Sequence, residues 1–224
     1  MKARPVVLSW SGGKDSSLAL HVLRADPEMT VVGLLTTVTS DYDRISMHGV
    51  RRSLLEQQAA AVEIPLHVVE IEARAANDSY EQQMRAALMK LRASGVETVA
   101  FGDLFLEDVR RYRDDMMQRL GMSPVFPLWH RNTDELAREF ITLGFRAVTT
   151  CIDTQQLDAS FAGRWFDEAF LTDLPSAADP CGENGEFHTF VTDGPVFTNP
   201  ISIGIGELQL RDDRFQYCDL LPVS

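Results

Sequence analysis

The sequence predicts an α/β fold, in which a doubly wound parallel sheet is followed by a smaller, mixed C-terminal subdomain. Two observations support this prediction. Up to residue 152, apolar runs of strand length alternate with segments of helical periodicity. Beyond about Asp153 the pattern changes to short strand-like runs separated by turn residues. We place the boundary between residues 125 and 126, so the expected domains are 1–125 and 126–224.

The first predicted strand is an apolar run, and the second is almost wholly apolar, which is typical of a strand buried on both faces of a parallel sheet. The predicted strands of the first part are residues 5–8, 31–38, 66–71 and 98–101, and a further strand follows at 147–152. Residues 40–48 are polar and indicate a loop. Short connections between repeated strand–helix units favour a parallel sheet with right-handed crossovers.

The predicted helices follow the strands and end at recognisable signals. The first begins after a Gly-rich turn and includes Leu18–Leu23, and the others cover 49–62, 78–92, 107–120 and 132–143. Asp78 or Ser79 could cap the third helix. Gly95 and Gly121 are placed to end the third and fourth helices.

The C-terminal part carries weaker patterns. We expect a short helix around Trp165 and Phe166, and an ordered functional loop over 175–185. From Phe187 onward, turn residues at 193–195 and 211–213 separate short strands. The side chains predicted to fill one face of a closing hairpin are Leu208, Leu210, Phe215 and Tyr217.

The composition narrows the class of protein. A net charge of −12 disfavours a broad nucleic-acid or anionic-membrane surface. No apolar run approaches the ~20 residues of a membrane span, and the N-terminus shows no secretory signal. The three cysteines are widely spaced and contain no Cys-x-x-Cys pair. We therefore expect reduced thiols and a cytoplasmic location.

The Gly-rich turn after the first strand predicts an anion-binding cradle. Two adjacent glycines let backbone N–H groups approach phosphate oxygens, and the following helix N-terminus adds further donors. Lys14 can neutralise a phosphate, and Asp15 could hold a metal ion bound to the phosphates. The spacing matches neither the Walker loop nor the G-x-G-x-x-G fingerprint. A turn that only caps a helix is the alternative.

Two more candidate positions follow later strands, where ligands bind in open α/β sheets. The segment Ser46–Gly49 could line an adenine pocket. Taken alone, His48 is more typical of a histidine in a loop or at a helix cap. Gly102 permits close backbone approach. Asp103 could meet a ribose, a metal or an ammonium ion, or could simply cap a helix.

An acidic turn at residues 179–189 is the last candidate. Gly182 and Gly185 alternate with Glu183 and Glu186, and glycines with positive φ could point both carboxylates the same way. Converging carboxylates bind cations or act as an acid–base pair. A solvated acidic turn is the alternative. Cys181 could be a nucleophile, but no base is identifiable and a small buried residue is favoured.

These motifs together resemble one enzyme family. Ser-Gly-Gly-Lys-Asp-Ser at 11–16 resembles the PP-loop of ATP pyrophosphatases of the adenine nucleotide alpha hydrolase-like superfamily, with its HUP, or Rossmann-like, domain. The complete set resembles the diphthine–ammonia ligases and their PP-loop relatives. The motifs that carry it are 11–16, 47–50, 102–103, 119–122, 127–131 and 181–189.

The resemblance implies an ATP-dependent amidoligase, which adenylates a substrate carboxylate, releases pyrophosphate and forms an amide with ammonia. It implies ATP and Mg²⁺ as cofactors. The implied catalytic residues are Lys14, Asp15, Glu183 and Glu186, with Asp15 as the metal ligand. The implied nucleotide-binding residues are Ser9, Ser11, Gly12, Gly13, Lys14, Asp15, Ser16, Thr36, His48, Gly102 and Asp103. The implied substrate contacts are Arg131, Cys181 and Thr189.

Some residues depart from the family pattern. The segment from Gly102 to Arg113 lacks the Gly-Asp-Ile and Tyr-Gln-Arg runs of relatives that modify diphthine, and Asn184 replaces a glycine but tolerates positive φ. The acceptor could therefore be a different, small carboxylate. A PP-loop tRNA-modifying enzyme and a non-catalytic ATP-binding module are the alternative functions. A homodimer is the expected assembly, without membrane or nucleic-acid partners.

Overall fold

The computed structural model describes residues 3–45, 48–72 and 77–223. Ten strands and six α-helices lie within these ranges. In chain order they are β1 (Arg4–Ser9), α1 (Lys14–Ala25), β2 (Met29–Thr39), β3 (Arg44–Ile45), α2 (Arg52–Ala61), β4 (Leu66–Ile71), α3 (Asn77–Ala93), β5 (Thr98–Ala100), α4 (Glu107–Leu120), β6 (Ser123–Val125), α5 (Thr133–Thr142), β7 (Arg146–Asp153), α6 (Glu168–Asp173), β8 (Phe187–Asp193), β9 (Ile203–Arg211) and β10 (Phe215–Pro222).

The first sheet is mostly parallel and confirms the predicted fold class. Its parallel strands are ordered β4-β2-β1-β5-β6, so strand order reverses next to β1. The two-residue strand β3 adds in antiparallel fashion to the end of β2. Because ligands bind beyond the carboxyl ends of strands where the order reverses, the turn after β1 occupies the expected position for a site.

Apolar layers cover both faces of this sheet, as a doubly wound fold requires. Val6 and Leu8 of β1 face one layer, which includes helices α1 and α2. Val7 faces the other layer, which contains the apolar stripes of α3 and α4. The alternation along β1 therefore serves two cores rather than one core and solvent.

The second sheet is antiparallel, with strand order β8-β7-β10-β9. Strand β7 belongs to it and not to the parallel sheet. The hairpin of β9 and β10 is present, but its predicted apolar face is wrong. Its register pairs Leu210 with Gln216 and Leu208 with Cys218, whereas Phe215 and Tyr217 lie on the opposite face. The length of the turn sets this register, and the pattern of residues alone does not determine it.

The helix predicted around Trp165 and Phe166 is also wrong. Trp165 forms a β-bridge with Val148 instead. A 3₁₀ turn at Ala159–Phe161 precedes this segment, and α6 begins only after Asp167, whose carboxylate accepts a hydrogen bond from the N–H of Phe170 (2.9 Å). The N-cap aspartate, rather than the aromatic pair, determines where the helix begins.

Two short strands were not predicted from the sequence. β3 lies inside the segment predicted to be a loop, and β6 follows the fourth predicted helix at a position where no strand was predicted. Helix α2 begins at Arg52 rather than Gly49, because Gly49 adopts a positive φ of 67° and lies against the ring of Tyr217. Helix α3 includes Ser79 within its first turn, and the side chain of the other proposed cap, Asp78, lies outside the described residues.

The proposed division at residues 125 and 126 stays a prediction; it falls at the end of β6. One continuous apolar cluster joins helix α1 to aromatic side chains of the second sheet, such as Phe187 and Phe190. In the described ranges, no helix combines the length and apolar character needed to cross a membrane.

Candidate active site

A cleft of about 470 Å³ opens where β1, β2 and β5 end and the acidic turn faces them. Most of the residues selected from the sequence line it. They are Ser9, Ser11, Gly13, Lys14, Asp15, Ser16, Thr36, His48, Gly102, Asp103, Cys181, Glu183 and Thr189. The structure thus brings together residues from both halves of the chain.

The Gly-rich turn is held by its own hydroxyl groups. The N–H of Gly13 donates to Ser11 Oγ (3.2 Å), and Ser16 Oγ donates to the carbonyl of Gly13 (2.9 Å). Gly12 has a φ of 75°, a conformation that favours glycine. The turn is therefore shaped by its sequence before any ligand binds.

A buried amide supports the same turn from behind. Gln58 of α2 is fully buried, and its Nε2 donates to the carbonyls of Gly12 (2.9 Å) and Val191 (2.6 Å). Its Oε1 accepts a hydrogen bond from Trp10 Nε1 (3.0 Å). A Cβ on Gly12 would lie 2.5 Å from Gln58 Oε1, so Gly12 is also needed for this close approach. Gln58 was not identified from the sequence.

Strand β8 of the second sheet is bound directly to the Gly-rich turn. The N–H of Val191 donates to the carbonyl of Gly12 (2.9 Å). The N–H of Lys14 donates to Thr189 Oγ1 (3.1 Å), and both groups are buried. Thr189, predicted as a substrate contact, thus also anchors the N-terminus of α1.

The Lys14 ammonium lies between the two halves of the cleft. It donates to both carboxylate oxygens of Asp15 (2.9 and 3.0 Å) and to the backbone carbonyl of Cys181. Burial is the largest influence on Lys14 and lowers its pKa, but the charge of Asp15, its hydrogen bond and the other nearby charges together outweigh burial, so the pKa is raised. Lys14 therefore remains a cation, and its charge is available to a phosphate.

Asp103 faces Asp15 across the cleft. Burial raises the pKa of Asp103, while the nearby guanidinium of Arg113 (3.5 Å) opposes this change. Asp103 Oδ2 is buried without a hydrogen-bond partner in the described part of the chain. Burial likewise raises the pKa of Asp15. A divalent cation would satisfy both carboxylates, and Mg²⁺ takes one or two carboxylates together with phosphate oxygens.

Gly102 permits this arrangement. A Cβ at this position would lie 3.1 Å from the backbone carbon of Asp15 and 3.3 Å from the nitrogen of Ser16. The end of β5 therefore packs directly against the first turn of α1. The predicted close approach at Gly102 is present, and it is an approach to the phosphate-binding turn.

Glu183 enters the cleft from the acidic turn. Its Oε1 accepts hydrogen bonds from the backbone N–H groups of Leu104 (2.8 Å) and Phe105 (3.4 Å), which fix the carboxylate beside α4. Burial raises the pKa of Glu183 to about 7, although these two hydrogen bonds oppose the change. A carboxyl group with this pKa can accept and release a proton near neutral pH.

Glu186 points elsewhere, so the expected convergence of the two glutamates is not found. Its Oε1 accepts hydrogen bonds from the N–H of Asp179 (2.8 Å) and from Asn184 Nδ2 (3.1 Å). Glu186 is buried behind the turn, outside the lining of the cleft. Gly182 and Gly185 do adopt positive φ, whereas Asn184 does not. Glu186 therefore stabilises the turn from within, and Glu183 is the glutamate that faces the cleft.

Two neighbouring histidines with tilted rings form another wall. The rings of His48 and His188 have centroids 4.4 Å apart and an angle of 32° between their planes. Burial lowers the pKa of His188 to about 4 and brings the pKa of His48 well below its ordinary value. Both rings are therefore neutral at physiological pH and offer a flat surface. Of the other residues proposed for an adenine pocket, Ser46 and Met47 lie outside the described residues, and Gly49 lies against Tyr217 rather than in the cleft lining.

Three predicted site residues lie outside the cleft lining. Gly12 shapes the turn, Glu186 closes the acidic loop, and Arg131 pairs with Glu139 on the surface. Cys181 lines the cleft, but burial raises the pKa of its thiol and Sγ donates to the carbonyl of Thr133 (3.3 Å). This thiol is therefore a buried structural group rather than a nucleophile.

Several lining residues were not selected from the sequence. Arg113 reaches the cleft from α4, with its guanidinium 4.8 Å from the ring centroid of Phe101. Tyr80 and Met84 reach it from α3. These residues belong to polar helical segments, in which the sequence does not distinguish a residue that faces the cleft from one that faces solvent. Gly182, Phe187 and His188 also line the cleft, and these three belong to the acidic-turn motif already quoted from the sequence.

Two family models cover most of the chain. One, for the diphthamide synthase N-terminal domain, matches residues 3–124, and one for the diphthamide synthase C-terminal domain matches residues 132–219. The chain belongs to the diphthamide synthase family. The resemblance drawn from the Gly-rich and acidic turns is thereby confirmed.

Relatives of this diphthamide synthase family member carry one name. A diphthine–ammonia ligase of Homo sapiens is 26% identical over 223 residues, covering 90% of this chain and 83% of that protein. One from Bos taurus is 24% identical and covers 88% and 82%. A diphthine–ammonia ligase of Schizosaccharomyces pombe is 22% identical over 85% of this chain, which spans 34% of that longer protein.

Proposed function

We propose that this protein is an ATP-dependent amidoligase, which adenylates a substrate carboxylate and converts it to an amide with ammonia. Membership of the diphthamide synthase family supports this reaction. The observation that carries it is the shared cleft of Lys14 and Glu183. Lys14 is suited to stabilise the leaving pyrophosphate, and Glu183 is suited to take a proton from ammonium. A pure ATP-binding module needs only the first.

The first step joins the substrate carboxylate to the α-phosphate of ATP and releases pyrophosphate. The backbone N–H groups of the Gly-rich turn and the hydroxyls of Ser11 and Ser16 bind the phosphates. Lys14 stabilises the negative charge that develops on the leaving pyrophosphate. Thr36 and His48, whose ring lies beside that of His188, bind the nucleoside part of ATP. The products of this step are an acyl-adenylate and pyrophosphate.

The second step uses Glu183. Ammonium must lose a proton before its nitrogen can attack the acyl carbon, and a carboxylate with a pKa of about 7 can take that proton. The nitrogen forms the amide bond, and the bond to the phosphate oxygen breaks to release AMP. The amides of Leu104 and Phe105 hold Glu183 in place throughout.

We propose Asp15 and Asp103 as the ligands of Mg²⁺. Their donor set fits, since both are carboxylates beside the phosphate-binding turn and Asp103 Oδ2, although paired with the Arg113 guanidinium, accepts no hydrogen bond within the described residues. When bound, Mg²⁺ would supply positive charge to the phosphate oxygens during the release of pyrophosphate. Arg113 keeps Asp103 oriented towards the cleft.

The acceptor is proposed to be a carboxylate, either diphthine as in the names of the relatives or a small metabolite. The changed segment that follows Asp103 lies beside Glu183, where the acceptor must approach. No tRNA partner is proposed, because the net charge of −12 opposes binding to a polyanion. The three free, buried cysteines support a reducing cytoplasm as the compartment, and a homodimer is the proposed assembly.

Product analysis tests this function. The protein is incubated with ATP, Mg²⁺ and ammonium, with a diphthine-bearing protein in one arm and a small-molecule cell extract in another. We expect AMP and pyrophosphate in equal amounts, only where acceptor and ammonium are both present. Lys14→Ala should lower the rate by about 10²-fold or more, because the charge on the leaving group is then unsupported.

Lys90→Ala is the matched control, because Lys90 is exposed on α3 and its removal should leave the rate unchanged. Formation of ADP in place of AMP would contradict the proposed reaction. AMP formed with acceptor but without ammonium would retain the adenylation step and remove the amide step.

A further inference from the structure

Strand β9 is an edge of the second sheet. One side of it pairs with β10, and no strand in the described part of the chain pairs with its other side. Proteins usually protect such an edge with lysine, proline or a bulge. The sequence of β9, Ile-Gly-Ile-Gly-Glu-Leu-Gln-Leu-Arg, contains neither lysine nor proline. At the register shift with β10, β9 has one residue more than β10 between Ile205 and Leu208, so the bulge lies in β9 next to residues 208–211 and leaves their regular pairing with β10 intact.

This edge also exposes large apolar side chains. Leu208 is 56% exposed and Leu210 is 51% exposed, and both lie on the same face of β9. Ile205 of the same strand and Leu221 of β10 are exposed as well. A free edge with neighbouring leucines is a surface that favours strand pairing with another chain.

The hairpin geometry shows which backbone groups face outward. The carbonyl of Arg211 accepts a hydrogen bond from the N–H of Arg214, so the polar groups of Arg211 point towards β10. In an antiparallel ladder these groups alternate between the two edges from one residue to the next. The N–H and C=O groups of Leu208 and Leu210 are therefore directed to the free edge.

The charges on β9 are complementary to those of a second copy in one antiparallel register. A two-fold axis through Gln209 places Glu207 opposite Arg211 of the other copy, twice by symmetry. The same axis places Leu208 opposite Leu210, and these are the residues whose N–H and C=O groups face outward. Such hydrogen-bonded pairs exchange two bonds each, so the ladder contains four backbone hydrogen bonds.

In neighbouring registers the charged residues of the two copies do not pair in this way. An axis through Leu208 places Glu207 opposite Gln209 and forms no charge pair. An axis through Leu210 places Glu207 opposite Asp213, and like charges directly opposite each other are destabilising. Only the axis through Gln209 satisfies the backbone groups, the charges and the leucines together.

We propose that two copies of this chain form a symmetric dimer through antiparallel pairing of their β9 strands about Gln209. The two four-stranded sheets then become one sheet of eight strands. Arg211 is already placed above the strand for this contact. Its Nη2 donates to Gln209 Oε1 (3.0 Å), beside the two-fold axis, and its guanidinium lies over the ring of Tyr217. The apolar pairs of Leu208 and Leu210 cover the opposite face.

Charge reversal tests this dimer by sedimentation velocity and light scattering. The wild-type chain should be a dimer. Glu207→Arg and Arg211→Glu should each raise the dimer dissociation constant at least ~10-fold, because each places like charges opposite each other twice. A mixture of these two variants should form a heterodimer, since the charges are then complementary again. The variant that carries both substitutions should also be a dimer.

Glu28→Arg is the matched control, because Glu28 is exposed in the turn before β2 and its reversal should leave the dimer intact. Thermal unfolding of each variant shows whether it folds. A second readout is amide hydrogen exchange, in which Leu208 and Leu210 should be protected as the protein concentration rises. A monomeric wild type at tens of micromolar, or a dimer unaffected by either reversal, would overturn the proposal.

Discussion

Two glutamates of one short turn have different roles in this structure. Glu183 reaches the cleft and is held by two backbone amides, whereas Glu186 turns back to the N–H of Asp179 and closes the loop. The sequence shows their spacing of three residues but not their directions. The direction of each is decided by which backbone donors lie nearby, and these donors come from distant parts of the chain.

Glu183 should give the amide-forming step its pH dependence. Its raised pKa means that the carboxylate, which accepts the proton, is populated only as the pH rises through about 7. At a constant concentration of ammonium ion, the species that Glu183 deprotonates, we expect the rate of amide formation to rise with pH and to level off above this value. The measurement is steady-state kinetics with the total ammonium adjusted at each pH.

Glu183→Gln should remove this pH-dependent rise and lower the amide-forming rate by about 10²-fold or more. Acceptor-dependent exchange of pyrophosphate into ATP should continue, because adenylation precedes the use of ammonia. Glu97→Gln, at an exposed position, serves as the control. Full ammonia-dependent turnover in Glu183→Gln would rule out the proposed base.

At the scale of elements, the Gly-rich turn depends on neighbours from two different parts of the fold. Helix α2 supports it through Gln58, and strand β8 supports it through Val191 and Thr189. Each contact satisfies a buried polar group of the turn or of helix α1. The phosphate-binding shape is therefore a property of three elements rather than of the turn sequence alone.

Gln58→Ala should weaken nucleotide binding and stability together. The substitution leaves Trp10 Nε1 without its acceptor and removes one hydrogen bond from each of the carbonyls of Gly12 and Val191, although Gly12 keeps the bond from the N–H of Val191; we expect a cost of about 1–3 kcal/mol. We expect a lower thermal unfolding midpoint and a higher Kd for ATP, measured by scanning calorimetry and by titration calorimetry. Gln57→Ala, on the exposed side of the same helix, should change neither quantity.

The sequence predicted the long elements well and the short ones poorly. Continuous apolar runs identified β1 and β2, whose central residues are buried on both faces. β4 and β7 were also predicted, although β4 exposes His67 and Glu70. β3 and β6 exist only through pairing with their neighbours, so no local pattern marks them. The phosphate-binding turn was found because its residues are contiguous, whereas Gln58 and Arg113 join the site from helices far along the chain.

The two halves of the molecule share one apolar core. Leu18 and Leu20 of α1 belong to the same cluster as Phe187 and Phe190 of β8. Polar contacts join the halves as well. Arg24 Nη1 donates to the carbonyl of Val196 (2.7 Å), and the N–H of Thr198 donates to the carbonyl of Ala61 (2.7 Å). The boundary proposed near residue 125 is thus bridged by a continuous interior.

We therefore expect the whole chain to unfold in a single cooperative transition. Residues 1–125 expressed alone should lack fixed tertiary structure, because the apolar face of α1 and the turn supported by β8 would be exposed to water. Calorimetry of the full chain and near-UV circular dichroism of the fragment are the measurements. Two separate transitions, or a fragment that binds ATP with full affinity, would contradict this expectation.

The Lys14 ammonium has a consequence for regulation. It donates at once to Asp15 and to the Cys181 carbonyl in the acidic turn. A nucleotide that draws this ammonium onto its phosphates releases both partners. Occupancy of the nucleotide site and the conformation of the turn that carries Glu183 are consequently linked, and such linkage is reciprocal. A compound that binds only the acidic turn would change the affinity for ATP without occupying the ATP site.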